Sequence, residues 1–168
     1  MTDTQTSFDS AQDSPGIQEA VKATGSLDIV VRDELGNIKE ERHIPNLVVT
    51  VGKAWIAGRL KDTAGGHTIP TQMSHMAIGS GTANPADADT ALGTELGRTA
   101  LTTSGGAVSS ATVTYAATFA AGTGTGAVTE AGIFNASSAG TMICRTKFDV
   151  VNKAASDSLS INWSVTIS

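Results

Sequence analysis

The chain has 168 residues and a formal net charge of −5; 40% of the residues are hydrophobic and only 4% are aromatic. This length allows one domain with its own core and a short tail beside it. The acidic charge and the absence of any lysine or arginine cluster exclude the electrostatic footprint of a nucleic-acid-binding protein and disfavour an anionic membrane surface. The sequence therefore predicts neither nucleic acid nor membrane as a partner.

The single cysteine, Cys144, cannot form a disulfide within the chain. The N-terminal residues are polar and acidic and lack the basic and apolar regions of a signal peptide. No apolar stretch reaches the roughly 20 residues that are needed to span a bilayer. We therefore expect a soluble protein that is made in a cytoplasm.

Residues 1–25 are predicted to form an N-terminal arm. The first residues are polar, and a short helix is predicted after them, beginning at the good N-cap Ser14 and ending at Gly25. Ile17 and Val21 then lie on one face of that helix. Two alternatives stay open, namely an amphipathic turn that packs on its own domain and an arm that docks on a neighbouring chain.

From Ser26 the apolar residues alternate with polar ones, which is typical of a β-strand. A turn at residues 33–37 leads into a second strand, one side of which carries Ile38, Glu40, Arg42 and Ile44. Both faces of this second strand are largely polar. The pattern therefore predicts an edge hairpin over residues 27–44, whose charges discourage edge-to-edge aggregation.

A short helix is predicted over residues 51–60, capped by Thr50. Its apolar residues form two pairs spaced four apart, Val51 with Trp55 and Ile56 with Leu60. We expect this helix to close one end of the domain.

The rest of the chain predicts short strands joined by tight turns. The clearest is the last strand, in which five apolar residues alternate strictly with polar ones: Leu159, Ile161, Trp163, Val165 and Ile167. Tyr115 faces inward by the same alternation. Roughly seven or eight such strands predict an all-β fold, an antiparallel β-sandwich or jelly-roll-like domain over residues 26–168.

No set of residues in the sequence converges on a catalytic motif. The Gly79-Ser80-Gly81 turn lacks the remainder of a nucleotide-binding fingerprint, and no serine lies in a nucleophile elbow. The histidines are not spaced as a metal pair, and Asp87 and Asp89 lack the pattern of a calcium loop. We therefore expect no enzymatic activity, no metal and no cofactor.

Glu130 stands in a predicted strand whose other residues are apolar or small. A buried carboxylate needs a cationic partner, and Arg98 or Arg145 is available for this role. The pattern favours an internal ion pair that fixes strand register over a catalytic carboxylate.

Five blocks of the sequence, taken in order, resemble a family of small structural proteins of tailed bacteriophages. The blocks are NLVV at 46–49, MSHMAIGSG at 73–81, DTALGTE at 89–95, TEAGIFN at 129–135 and LSINWSVTIS at 159–168. The resemblance covers roughly residues 27–168 and leaves the N-terminal arm outside. Members of the family are described as head decoration, cement or tail-fibre-like proteins, so the family is known by location in a virion and supplies no catalytic residues.

The resemblance implies a capsid cement or decoration protein that binds the major capsid protein, or other virion proteins, at the virion surface. We also expect a homo-oligomer, a dimer or a trimer. A tail, fibre or neck component is the first alternative, and a carbohydrate-binding β-sandwich is a lower one. The candidate partner-binding residues lie on the arm and the edge hairpin, and they are Phe8, Ile17, Val21, Ile38, Glu40 and Arg42.

Overall fold

The computed structural model describes residues 21–61 and 64–168. Its elements, in chain order, are β1 (Ala23–Arg32), β2 (Ile38–Pro45), β3 (Leu47–Val48), α1 (Thr50–Leu60), a short 3-10 helix (Ala64–Gly66), β4 (His75–Gly79), β5 (Glu95–Ala100), β6 (Ala107–Ser109), β7 (Thr112–Phe119), β8 (Gly126–Phe134), β9 (Met142–Lys153) and β10 (Ser158–Ile167). The strands form two five-stranded sheets, β2-β1-β10-β7-β6 and β3-β9-β8-β4-β5. All strand pairs are antiparallel, so the predicted all-β sandwich is confirmed.

The main core lies between the two sheets and is built by the alternation that the sequence shows. Leu27 pairs with Trp163 across β1 and β10, and Trp163 pairs with Tyr115 across β10 and β7. Trp163 is 0% exposed and Tyr115 is 3% exposed. The inward orientation predicted for both aromatic residues is therefore confirmed.

Strand β8 is buried on both faces from Val128 to Phe134, unlike the half-buried strands of the other sheet. One face meets the core, while the other is covered by the irregular connection at residues 80–94, which hydrogen-bonds to Glu130. A strand that is buried on both faces is almost continuously apolar. Glu130 is the exception to this rule.

Strand β2 is an edge of the first sheet, as predicted, because it pairs only with β1 among the described strands. The turn before it is held by Asp33, whose carboxylate accepts hydrogen bonds from the backbone N–H of Leu35 at 3.0 Å and of Asn37 at 2.8 Å. Gly36 in this turn has a φ of 85°, which suits glycine. The hairpin is therefore fixed by turn chemistry that the sequence already contained.

The predicted helix ending at Gly25 is wrong in its last residues. Strand β1 begins at Ala23 rather than at Ser26, and Gly25 pairs with Val165 inside the sheet. A side chain at Gly25 would overlap Ser164 and Asn46, so a close strand contact, not a helix end, requires this glycine. Residues 14–20 of the predicted helix lie outside the described residues.

Helix α1 is confirmed, but its predicted cap is wrong. The capping position is Val49, which has an extended backbone and makes no side-chain hydrogen bond, while Thr50 is the first helical residue. The predicted apolar stripe is also incomplete because Leu60 is 83% exposed. No helix among the described residues is long and apolar enough to cross a membrane.

Candidate functional site

An apolar hollow lies between α1 and the open end of the first sheet. It has a volume of about 550 Å³. We call this hollow the arm groove, and its apolar walls are Val21, Ala23 and Ile167 on the sheet side and Ile56, Ala57 and Leu60 on the helix side. Val21 is 80% exposed and Leu60 is 83% exposed, so the rim of the groove presents apolar side chains to solvent.

Helix α1 can form one wall of the groove because it lies directly on the second sheet. Gly52 is buried, and a side chain there would overlap the backbone of Ile143. The helix is anchored by Trp55, whose Nε1–H donates to the Thr71 carbonyl oxygen at 2.8 Å, and by Arg59, which donates through an Nη to the Pro70 carbonyl oxygen at 2.9 Å. The helix is therefore fixed in position without covering the groove.

A second, smaller apolar hollow of about 270 Å³ lies on the other side of α1. Both hollows are lined by Ile56, Leu60 and Ile167, so they meet along the helix. The result is a continuous apolar surface around the exposed half of α1. Such a surface on a small domain is typical of a contact with another protein.

The edge hairpin carries the remaining predicted contact residues. On β2, Ile38 is 50% exposed, and Arg42 donates through Nε to Glu40 at 2.7 Å. Ile38 pairs with Arg32 at the far end of β1, whereas Val21 lies next to the start of that ten-residue strand. Ile38 is therefore about 35 Å from Val21 at the rise of a β-strand, whereas Arg42, which pairs with Ile29, lies nearer to Val21.

The structure thus places four of the six predicted contact residues, and it separates them into two surfaces. Val21 lies on the rim of the arm groove, while Ile38, Glu40 and Arg42 lie together on β2. Phe8 and Ile17 lie outside the described residues.

Glu130 is the centre of a buried ionic network on the outer face of the second sheet. Its carboxylate is 0% exposed and accepts hydrogen bonds from the backbone N–H groups of Gly81 at 2.8 Å, Gly93 at 3.0 Å and Thr94 at 2.9 Å. Arg145 donates to it through Nε at 3.0 Å and through an Nη at 2.7 Å. The predicted internal ion pair is therefore present, and Arg145 is the partner.

Arg145 connects this network to the middle of the covering connection. Its Nη1 donates to the Asp89 carboxylate at 2.6 Å. Its Nη2, which also donates to Glu130, donates to the Ala83 carbonyl oxygen at 3.2 Å. Residues 81–94 are thus bound at five points to two side chains of the sheet. The network holds an irregular segment of backbone in one conformation.

Two glycines make room for the Glu130 carboxylate. A side chain at Gly79 or Gly81 would overlap it. The Gly79-Ser80-Gly81 sequence is therefore required by a protein carboxylate, and not by a nucleotide phosphate.

Burial raises the pKa of Glu130, but the hydrogen bonds from Thr94, Gly93 and Arg145 outweigh burial and leave the pKa below its ordinary value. The carboxylate is consequently ionised and already fully bonded. It has no lone pair directed into a cavity, which a general base or a metal ligand needs.

A second polar cluster was not predicted from the sequence. The Lys153 ammonium is buried and donates to the carbonyl oxygens of Ala120 at 2.9 Å and Asp157 at 2.7 Å. Asp157 is also buried, and its carboxylate accepts from Lys39 at 2.6 Å and from the Ala154 N–H at 2.9 Å. The only sign of this cluster in the sequence is Asp157, which lies in a short turn. No sequence pattern predicts that Lys153 is buried.

Three further side chains that could carry chemistry, Cys144, Asp87 and Asp89, are either buried or paired with a cation. Burial raises the pKa of the Cys144 thiol and keeps it protonated. Asp87 pairs with Lys53 at 3.0 Å and Asp89 pairs with Arg145. Within residues 21–61 and 64–168, no group of three or more histidine, cysteine and acidic side chains is placed to hold a metal ion.

Comparison of the chain with protein-family models, with curated proteins and with solved structures finds no match in any of the three. The description of the site therefore rests on the geometry alone.

Proposed function

We propose that this chain is a structural protein of a tailed-bacteriophage virion and binds the major capsid lattice as a cement or decoration protein. The observation that carries the binding role is the arm groove, where apolar side chains of a small domain stand exposed around a hollow. Burying such surface against another protein contributes about 25 cal/mol for each Å² removed from water. The groove is therefore the feature of the described surface best suited to a partner.

The phage assignment rests on the ordered sequence blocks, and four of the five blocks lie around one buried network. Blocks 73–81, 89–95 and 129–135 meet at Glu130, through the N–H groups of Gly81, Gly93 and Thr94. Block 46–49 includes β3, which pairs with β9 next to Arg145. Blocks that build one network support a shared fold better than unrelated short matches do.

A lattice role also fits the arrangement of the two exposed surfaces. The arm groove lies at the start of β1, whereas the β2 edge runs along β1 from Ser26 to its far end, so one molecule presents two separate surfaces to its neighbours. On a repeating lattice, many weak contacts of this kind add through multivalency. Neither surface needs high affinity on its own.

A carbohydrate-binding module has less support from the described residues. Sugar sites usually present an exposed aromatic ring, but Trp163 and Tyr115 are in the core. Trp55 is half-buried and its N–H is bonded to Thr71. No specific observation favours this alternative.

The proposal is tested by immunogold electron microscopy of the purified phage, with an antibody against this chain. Gold distributed evenly over the head is expected. Quantitative mass spectrometry of the same particles should give a copy number comparable with that of the major capsid protein. Gold confined to one vertex or to the tail, with a low copy number, would instead support a tail, fibre or neck component and overturn the cement assignment. Particles without label would overturn the virion assignment.

A further inference from the structure

We infer that the arm groove receives the N-terminal arm of a second copy of this chain, with Ile17 as its apolar anchor. The inference rests on the proposed function in one respect only, since it takes the arm groove to be a contact surface for another protein molecule. It names the occupant of a surface that the proposed function leaves open.

The direction in which the chain leaves the sheet favours a second copy over the same chain. The backbone of Lys22 exchanges hydrogen bonds with Ser168 at 2.6 Å and 2.9 Å, which extends the pairing of β1 and β10 to the very end of the sheet. The chain therefore reaches Val21 along the direction of the strand, beyond the last paired residues of the sheet. An arm that continues in this direction moves away from its own groove.

An immediate reversal towards the same groove is disfavoured by the sequence. Residues 18–20 are Gln, Glu and Ala, and none of these is a favoured turn residue. The nearest turn-forming residues, Pro15 and Gly16, lie beyond Ile17. No favoured turn residue therefore separates Ile17 from Val21, which favours a neighbouring molecule over the same domain as the partner of Ile17.

The charges of the arm and the groove are complementary. Residues 1–20 contain Asp3, Asp9, Asp13 and Glu19 and no lysine or arginine. The groove is lined by Lys22 and Lys53, and Lys53 shares its charge with Asp87. An acidic segment with one branched apolar side chain therefore matches a basic-edged apolar groove in both charge and polarity.

The test mixes two full-length variants that each carry one added cysteine, Ile17→Cys and an affinity-tagged Ala57→Cys, under mild oxidation. Ala57 is exposed in the groove, whereas the native Cys144 is buried and does not compete. A disulfide between the two variants, identified by the tag on a non-reducing gel and by the linked peptides, is the expected result. It can form only between two molecules.

The matched control replaces Ala57→Cys by Leu35→Cys, at the opposite end of β1. Leu35 is 82% exposed, so its thiol is accessible but far from the groove. We expect its yield of the mixed disulfide to be about tenfold lower. Equal yields from the two mixtures, or no disulfide from either, would overturn the inference.

The double variant Ile17→Cys/Ala57→Cys shows whether the arm in the groove belongs to the same molecule or to a second one. Cross-linked oligomers are expected, and a product that is entirely monomeric with an internal disulfide would assign the groove to the arm of the same chain and overturn the second-copy inference. Adding Leu60→Asp should lower the intermolecular yield about tenfold, since it removes an apolar contact from the rim, whereas adding Leu35→Asp should not. These experiments use the free protein, so their failure leaves the virion location untouched, and absence from the virion does not affect their outcome.

Discussion

The strongest test of the fold is the substitution Glu130→Gln. Glutamine has the size of glutamate and keeps one oxygen that accepts hydrogen bonds. It replaces the other carboxylate oxygen by an NH2 group, which then faces N–H donors of Gly93 and Arg145. The substitution thus removes a buried negative charge and sets donors against donors at the centre of the network.

The magnitude follows from burial. Glu130 is 0% exposed and the side chain of Arg145 is 3% exposed, so water cannot replace the lost interactions. Breaking a buried ion pair by changing one partner costs about 3–5 kcal/mol. For a protein of this size, each kcal/mol shifts the melting temperature by about 2–4 °C. We therefore expect a decrease of about 6–20 °C, with a protein that still folds at 25 °C.

The matched control is Glu95→Gln. Glu95 pairs with Arg98 at 2.7 Å, the same distance as the Glu130–Arg145 pair, but its side chain is 36% exposed. The Arg98 side chain is 9% exposed, but water reaches the Glu95 carboxylate and screens the pair, so we expect a loss of at most about 1 kcal/mol. Urea denaturation followed by tryptophan fluorescence gives both free energies of unfolding. Losses of less than about 1 kcal/mol in both variants would refute the claim that the Glu130 network holds the covering connection.

Three further predictions test other parts of the fold. Trp163→Ala leaves a large cavity in the core, so we expect a loss of about 3–5 kcal/mol in thermal or urea unfolding; a melting temperature within about two degrees of the parent would place Trp163 outside the core. Lys153→Met keeps the apolar stem but removes the donor to two buried carbonyl groups, so unfolding measurements should show a loss of about 1–3 kcal/mol; an unchanged stability would contradict this role. The lowered pKa of Glu130 predicts stability that is fully present above the ordinary value of 4.5 and is lost as the pH falls through the folded-state pKa. Urea titrations from neutral pH into acid should show this loss, and it should be smaller in Glu130→Gln; identical pH profiles of parent and variant would count against the assignment.

Much of the fold was predictable because β-strands reveal themselves through local alternation. The last strand, the inward positions of Tyr115 and Trp163 and the edge hairpin follow from a period of two and from turn residues. Strands β3 and β6 were not predicted since they have only two and three residues, too few to show a period. The predicted helix end at Gly25 was wrong. A glycine after a helical pattern is typical of a helix end, but the conformation of Gly25 is determined by its pairing with Val165.

The candidate site was only partly predictable, for the same reason. The sequence by itself determined that Glu130 needs a cation, because a carboxylate among apolar neighbours must be paired when it is buried. Tertiary structure alone decided that Arg145 rather than Arg98 is that cation, that Gly81 and Gly93 supply hydrogen bonds to it, and that Lys153 is buried. It also decided that Val21 and helix α1 form one groove. These contacts join residues that are far apart in the chain. A local sequence pattern predicts whether a residue is buried and in which element it lies, but it does not predict which distant residue contacts it.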